Sequence, residues 1–144
     1  AKVDWNMNAK NKLSVSYRYN NAERYNTSRS ANQSINFYNN GYIFPSKTNS
    51  LSLELNSRFK RSSNNRLLIT YTGVKDDRGP LGGAFPRVRI RDGASSLFFG
   101  TEEFSTGNLL TQDNVAIFDV FKMYKGRHTI SIGTDNEYSK SYNV

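Results

Sequence analysis

The residue types best suited to chemistry in this 144-residue chain are arginines in alternation. The run Arg87-Val-Arg-Ile-Arg91 places a guanidinium at every second position, so an extended backbone carries Arg87, Arg89 and Arg91 on one face. Guanidinium forks match phosphate geometry, which points to phosphates of lipopolysaccharide or nucleic acid. A solvated loop face is the competing reading. Phe37, Tyr38, Tyr42 and Phe44 form an aromatic group that could stack on a ligand or pack a loop, and packing is favoured. Tyr38, Tyr42 and Phe44 stand with the three arginines as candidate ligand or lipopolysaccharide contacts. The acid pairs Asp76-Asp77 and Glu102-Glu103 match no calcium-loop spacing and read as solvated charge. The single histidine, His128, follows a Lys-Gly-Arg turn without a nucleophile at any recognisable spacing. Pro80-Leu-Gly-Gly83 lacks the Lys and Ser/Thr of a phosphate-binding loop. The expectation is therefore no catalytic residue, no cofactor and no metal.

Composition narrows the elements that position these residues. Hydrophobic residues make up 36% of the chain and mean hydropathy is -0.70, which excludes spanning helices. Aromatics nevertheless reach 13%, too rich for a disordered chain. Low average hydropathy with abundant aromatics is what a membrane β-barrel gives, because lumen-facing and lipid-facing residues cancel in the mean. There is no cysteine, so neither a disulfide framework nor a thiolate metal site is available. The net charge of +8 favours polyanionic partners. Ala1 opens almost directly in a strand-like run, which suggests a piece of something longer.

Period-two alternation dominates the chain. Lys12 to Asn20 sets Leu13, Val15, Tyr17 and Tyr19 against Ser14, Ser16, Arg18 and Asn20. Ser50 to Phe59 sets Leu51, Leu53, Leu55 and Phe59 against Ser52, Glu54, Asn56 and Arg58. Val3 to Met7, Arg66 to Gly73 and His128 to Thr134 repeat the arrangement. Val115 to Tyr124 is less regular, since Phe118 and Val120 compete with Phe121 and Met123 for the apolar face.

Three connections are short and polar: 9–12, 61–65 and 125–128. Two are long, roughly Asn21 to Asn49 and Asp76 to Asn114, and hold all three prolines. Short turns then fall on one rim and long loops on the other, as in outer-membrane barrels. A β-sandwich also alternates. Mid-strand Arg18, Glu54 and Arg58, with Trp5, Tyr17, Tyr19 and Tyr124 at strand ends, weigh against it. The expected fold is all-β, antiparallel transmembrane hairpins forming a partial segment of about six strands. The smallest spanning barrels have about eight, so the rest of the barrel must come from elsewhere.

Four stretches carry a family resemblance: Asn56-Ser-Arg-Phe59, Ile69-Thr-Tyr-Thr-Gly-Val-Lys-Asp-Asp-Arg78, Phe99-Gly-Thr-Glu-Glu-Phe-Ser-Thr-Gly-Asn108 and Lys125-Gly-Arg-His-Thr-Ile-Ser-Ile-Gly-Thr-Asp-Asn-Glu137. Together they resemble the C-terminal barrel region of Oar-like TonB-dependent outer-membrane receptors. The resemblance implies residues 1–144 of a barrel of about twenty-two strands around a plug. No plug domain is visible in this segment. It further implies an outer-membrane location and energised uptake of a nutrient or peptide. The implied partners are outer-membrane lipid and lipopolysaccharide, the remaining barrel and plug, TonB through an N-terminal region, and a surface lipoprotein on the long loops. Nucleic acid is not among them. Two other functions compete: a structural or adhesive barrel without transport, and a soluble basic β-protein that binds nucleic acid.

Overall fold

The computed structural model describes residues 1–60 and 62–144. The regular elements among the described residues are all strands. In chain order these are β1 (Lys2–Asn8), β2 (Asn11–Thr27), β3 (Ser34–Asn36), β4 (Gly41–Lys60), β5 (Ser63–Asp77), β6 (Gly79–Pro80), β7 (Val88–Asp92), β8 (Ser95–Phe99), β9 (Leu109–Lys125) and β10 (His128–Asn143). No helix among them is long and apolar enough to cross a membrane, which leaves strand-built spans untouched. The main sheet has seven strands: six follow one another in the order β1-β2-β4-β5-β9-β10, and β6 pairs with β4 off this path; its edges do not meet in a closed barrel. All six strands expected from alternation are present. The chain packs as two units: Ala1–Asn20 with Thr48–Val74 and Gln112–Ser141, and Asn21–Lys47 with Lys75–Thr111 and Tyr142–Val144.

In the first unit, β1 and β2 pair antiparallel, with Val3 opposite Val15 and Trp5 opposite Leu13. The Asn8 side chain makes their turn, its Oδ1 accepting from the N–H groups of Lys10 and Asn11, each at 2.9 Å. Arg58 N–H donates to Lys10 O, and Tyr124 N–H donates to Ser62 O, both at 2.8 Å. The three short turns therefore lie side by side on one rim. Arg61, expected in the second of them, lies outside the described residues.

Hydrogen bonds sort the side chains of this sheet onto two faces. Ser14 bonds Asp4, Arg66 Nη2 lies 3.0 Å from Glu54 Oε2, and Asn114 Nδ2 donates to Glu137 at 2.6 Å. These residues define the polar face. On the other face Tyr17 OH donates to Asn49 at 2.7 Å, and the Phe59 and Phe121 rings sit 6.1 Å apart. That contact settles the irregular strand: Phe121 joins the apolar face with Ile117 and Met123, and Phe118 and Val120 point the other way. Two carboxylates also fall on the apolar face, and each is bonded. Asp113 accepts from Tyr71 OH at 2.7 Å, and Asp119 accepts from Asn65 Nδ2 at 2.6 Å.

The apolar face is uncovered. Val3, Trp5 and Phe59 are more than half exposed, and Ile132 and Tyr138 are each 70% exposed. Not one described residue of the first unit is buried. Fully burying a side chain of this size is worth about 1.5–3 kcal/mol; the exposed ones collect little of that, and Leu13, Leu53, Leu55, Leu67 and Ile69 in the middle of the sheet, half-buried among their neighbours, collect part of it.

The second unit has a small core of its own. β3, β8 and β7 form a three-stranded sheet in that order, β7 antiparallel and β3 parallel to β8. β6 pairs with β4 through Tyr42–Pro80 and Ile43–Gly79. Leu81, 2% exposed, is the one buried hydrophobic side chain among the described residues. Gly100 has φ +92°, and a Cβ there would overlap the carbonyl oxygen of Pro86.

The two long connections are shorter than the sequence suggests. β2 continues to Thr27 and β4 starts at Gly41; β5 reaches Asp77 and β9 starts at Leu109. Asn, Glu and Asp are poor strand formers, but pairing with a strand already in place overrides their preference. Connections 28–40 and 78–108 remain, and they hold the small sheet.

Gly100→Ala is expected to destabilise the protein by about 1–3 kcal/mol. Gly83→Ala is the control, because it has the same φ but open space around it. Urea unfolding of both variants checks this, and equal losses would mean that the contact with Pro86 is unimportant.

Candidate functional site

The pairing of β7 with β8 fixes which residues of the second unit can act together. Arg89 stands opposite Phe98 and Arg91 opposite Ser96, while Ser34 and Asn36 of β3 flank the same two positions. Alternation then gives this small sheet a polar, cationic face of Ser34, Asn36, Arg89, Arg91, Ser96 and Phe98. The opposite face carries Ile35, Val88, Ile90, Leu97 and Phe99, and Phe99 packs against Phe37 at 6.0 Å and Phe85 at 6.3 Å. The small sheet is thus amphipathic.

The arginines differ in their surroundings. Arg89 Nε and Nη2 donate to Ser96 Oγ at 3.2 and 3.1 Å, and its guanidinium lies 5.0 Å from the centre of the Phe98 ring. Arg87 shares that ring at 5.7 Å and forms an ion pair with Glu103. Among the described residues no carboxylate pairs with Arg89 or Arg91. The expectation of three arginines on one face is consistent with this geometry, with one of the three already neutralised. Glu102 and Glu103 are not merely solvated, as expected from sequence. Glu103 holds Arg87, and Glu102 accepts from the N–H groups of Phe104 and Ser105 at 3.1 and 2.6 Å.

The aromatic candidates separate. Arg78 lies 5.7 Å over the Tyr42 ring and 5.0 Å over Phe44, so both rings are engaged in packing, as is Phe37. Such contacts are worth about 0.5–2 kcal/mol. Tyr38 is 62% exposed and remains available to a ligand. Tyr25 OH donates to Glu23 at 2.9 Å, and that hydrogen bond holds the phenol above its ordinary pKa. Asp76 Oδ1, Arg78 Nε and Thr106 Oγ1 are buried with no protein partner, which is where bound water belongs. His128 is the first residue of β10 and has exposed surroundings. Among the described residues no three acidic or histidine side chains gather as a metal site.

Two grooves flank the small sheet. An open one of about 720 Å³ borders the cationic face, with Asn32, Gln33, Ser34, Arg89, Ser96 and Phe98 among its lining residues. A smaller one, about 230 Å³, lies along Ile35, Ile90 and Leu97 on the other face. Sequence reasoning found the arginines, because they alternate. It missed Ser96, Phe98, Asn32 and Gln33, whose roles come from strand pairing between segments some sixty residues apart, as in Ser34 opposite Ser96.

No match emerges. Protein-family models, the curated proteins and solved structures all fail to align with this chain.

The Arg87–Glu103 pair is about one-third exposed on both sides, so solvent screens it. A double-mutant cycle with Arg87→Ala and Glu103→Ala is expected to give a coupling of about 0.2–1 kcal/mol. The coupling should shrink in high salt, and urea unfolding at two salt concentrations reads it. A coupling several times larger, insensitive to salt, would contradict the screened geometry.

Proposed function

We propose that this chain is part of an outer-membrane β-barrel that takes up a nutrient or peptide and is energised through TonB. The observation that carries the membrane part is the uncovered apolar face of the main sheet. Aliphatic side chains such as Leu51, Leu53, Leu55, Leu67 and Ile69 occupy its middle. Trp5, Phe59 and Phe121 lie toward the short-turn rim, and Tyr17, Tyr19 and Tyr71 toward the other end. Aromatic side chains favour the headgroup level, where a ring meets hydrocarbon and its polar edge meets water. Tyr17 and Tyr71 have their hydroxyls bonded to Asn49 and Asp113.

The dimensions agree. Phe59 and Asn49, the partner of Tyr17, are separated by ten positions of β4, roughly 34 Å of strand at ~3.4 Å per residue. A strand tilted by ~40° then covers roughly 26 Å of membrane normal, against an apolar band of about 25 Å in such barrels. The polar face, with Lys2, Lys12, Glu54 and Arg66 among its charges, suits a wet interior.

The transport part rests on the resemblance of the four stretches to TonB-dependent receptors. Uptake makes and breaks no bond: loops capture the substrate, and a plug elsewhere in the protein moves when TonB pulls. A structural or adhesive barrel is the alternative, and copurification discriminates the two. Outer-membrane extracts containing the protein should retain TonB in the transport reading; a stable barrel that never captures TonB would favour the structural one.

Leu53→Arg and Ser52→Arg test the membrane part. Leu53→Arg puts a guanidinium on the lipid side and is expected to cost about 2–4 kcal/mol in folding into lipid. Ser52→Arg, one residue away, should cost less than ~1 kcal/mol because it faces water. Equal effects, read from the heat-dependent gel mobility of the folded protein, would contradict the assignment of faces.

A further inference from the structure

We propose that the cationic face of the small sheet, with the open groove beside it, is a binding site for a phosphorylated saccharide. The site belongs wholly to the second unit and stands whether or not the larger sheet lies in a bilayer.

Three observations support it. The first is charge without compensation. Arg89 and Arg91 project from the same face of β7, and among the described residues neither meets a carboxylate. Glu103, the nearby acid, is taken up by Arg87.

The second is preorganisation. Ser96 Oγ accepts from two nitrogens of Arg89, and Phe98 supports the flat of the same guanidinium. Ser96 is itself 8% exposed, so the anchor is fixed. Arg89, which lines the groove, is thereby held in one orientation, and an anion meets a fork that has already lost much of its rotational freedom.

The third is the chemistry of the groove. Its lining of Asn32, Gln33, Ser34 and Ser96 supplies both donors and acceptors and no carboxylate. Hydroxyl-rich rings need that mixture, whereas a bare inorganic ion does not. A volume of about 720 Å³ lies within the ~300–1,000 Å³ of ordinary small-molecule sites. The phosphate belongs on Arg89 in the groove, with Arg91 two positions along the same face of β7 adding its charge, and the sugar hydroxyls on the amides. A free sugar phosphate and the phosphorylated sugar of a glycolipid headgroup present the same chemistry.

The test is calorimetric titration of the detergent-solubilised protein with glucose 1-phosphate, glucose, inorganic phosphate and a single-stranded oligonucleotide. Glucose 1-phosphate is expected to bind at least tenfold more tightly than either glucose or phosphate. Arg89→Gln and Arg91→Gln should each weaken it about tenfold or more, while Arg24→Gln leaves it unchanged. The Arg91 side chain makes no hydrogen bond or ion pair among the described residues, so its variant keeps the test valid should Arg89→Gln disturb folding. Ser96→Ala should weaken binding less than loss of the guanidinium, because it removes only the anchor. Vesicles carrying a phosphorylated glycolipid should compete with glucose 1-phosphate if the site reads headgroups; absence of competition would assign it to free sugars. Equal affinity for phosphate alone, tighter binding of the oligonucleotide, or indifference to both arginine substitutions would overturn the proposal.

Discussion

One constraint governs this protein: the main sheet presents an apolar face on which Val3, Trp5, Phe59 and Ile132 stay more than half exposed. Leu81 is the sole buried hydrophobic side chain among the described residues, and it belongs to the other packing unit. Ordering a residue costs about 1–2 kcal/mol of backbone entropy, which folding in water normally offsets by burying apolar surface. Among the described residues the sheet gains only part of that offset, through side chains such as Leu53, Leu55 and Ile69 half-buried among their neighbours. In the proposed setting, hydrocarbon on one side and water on the other would supply the rest without any second layer, since alternation has already sorted the side chains. The sheet's backbone groups pair between neighbouring strands, and β1 and β10 stand at the two ends of that order.

The same alternation explains details that would be anomalous in a packed core. Carboxylates on the apolar face are tolerated because each has a specific partner: Asp119 has Asn65 and Asp113 has Tyr71. On the polar face Glu54 is shared between Arg66 and Asn56, and Asp4 between Ser14 and the lysines 2 and 12. Exposed pairs of this kind contribute little to stability. The second unit solves a different problem, with a small core at Leu81, aromatic clustering around Phe99 and a close turn at Gly100.

Much of the sheet was legible in the sequence. Segments such as Lys12 to Asn20 and Ser50 to Phe59 alternate so strictly that only an extended strand separates their two faces. The Val115 to Tyr124 stretch was ambiguous because apolar residues occupy both faces, and only contacts across strands, such as Phe59–Phe121 and Asn65–Asp119, assign it. Strand ends were less visible. Asn21 to Thr27 is polar throughout except Ala22 and Tyr25, and its strand character comes from pairing, not propensity. The small sheet was hidden because β3 and β8 pair in parallel across a long separation in sequence. Its arginine face was half legible: the spacing of Arg87, Arg89 and Arg91 shows one side of a strand. The partners that distinguish Arg87 from Arg89, Glu103 and Ser96, emerge only from the fold.

The most direct measurement exploits the absence of cysteine in this chain. Single cysteines at Leu51, Ser52, Leu53, Glu54, Leu55 and Asn56 would each carry a fluorophore in isolated cell envelopes, with one quencher dissolved in lipid and another in water. The account requires a period of two: positions 51, 53 and 55 quenched from the lipid, and 52, 54 and 56 from the water. Quenching from water at all six positions, or from lipid at none, would contradict a membrane-facing sheet.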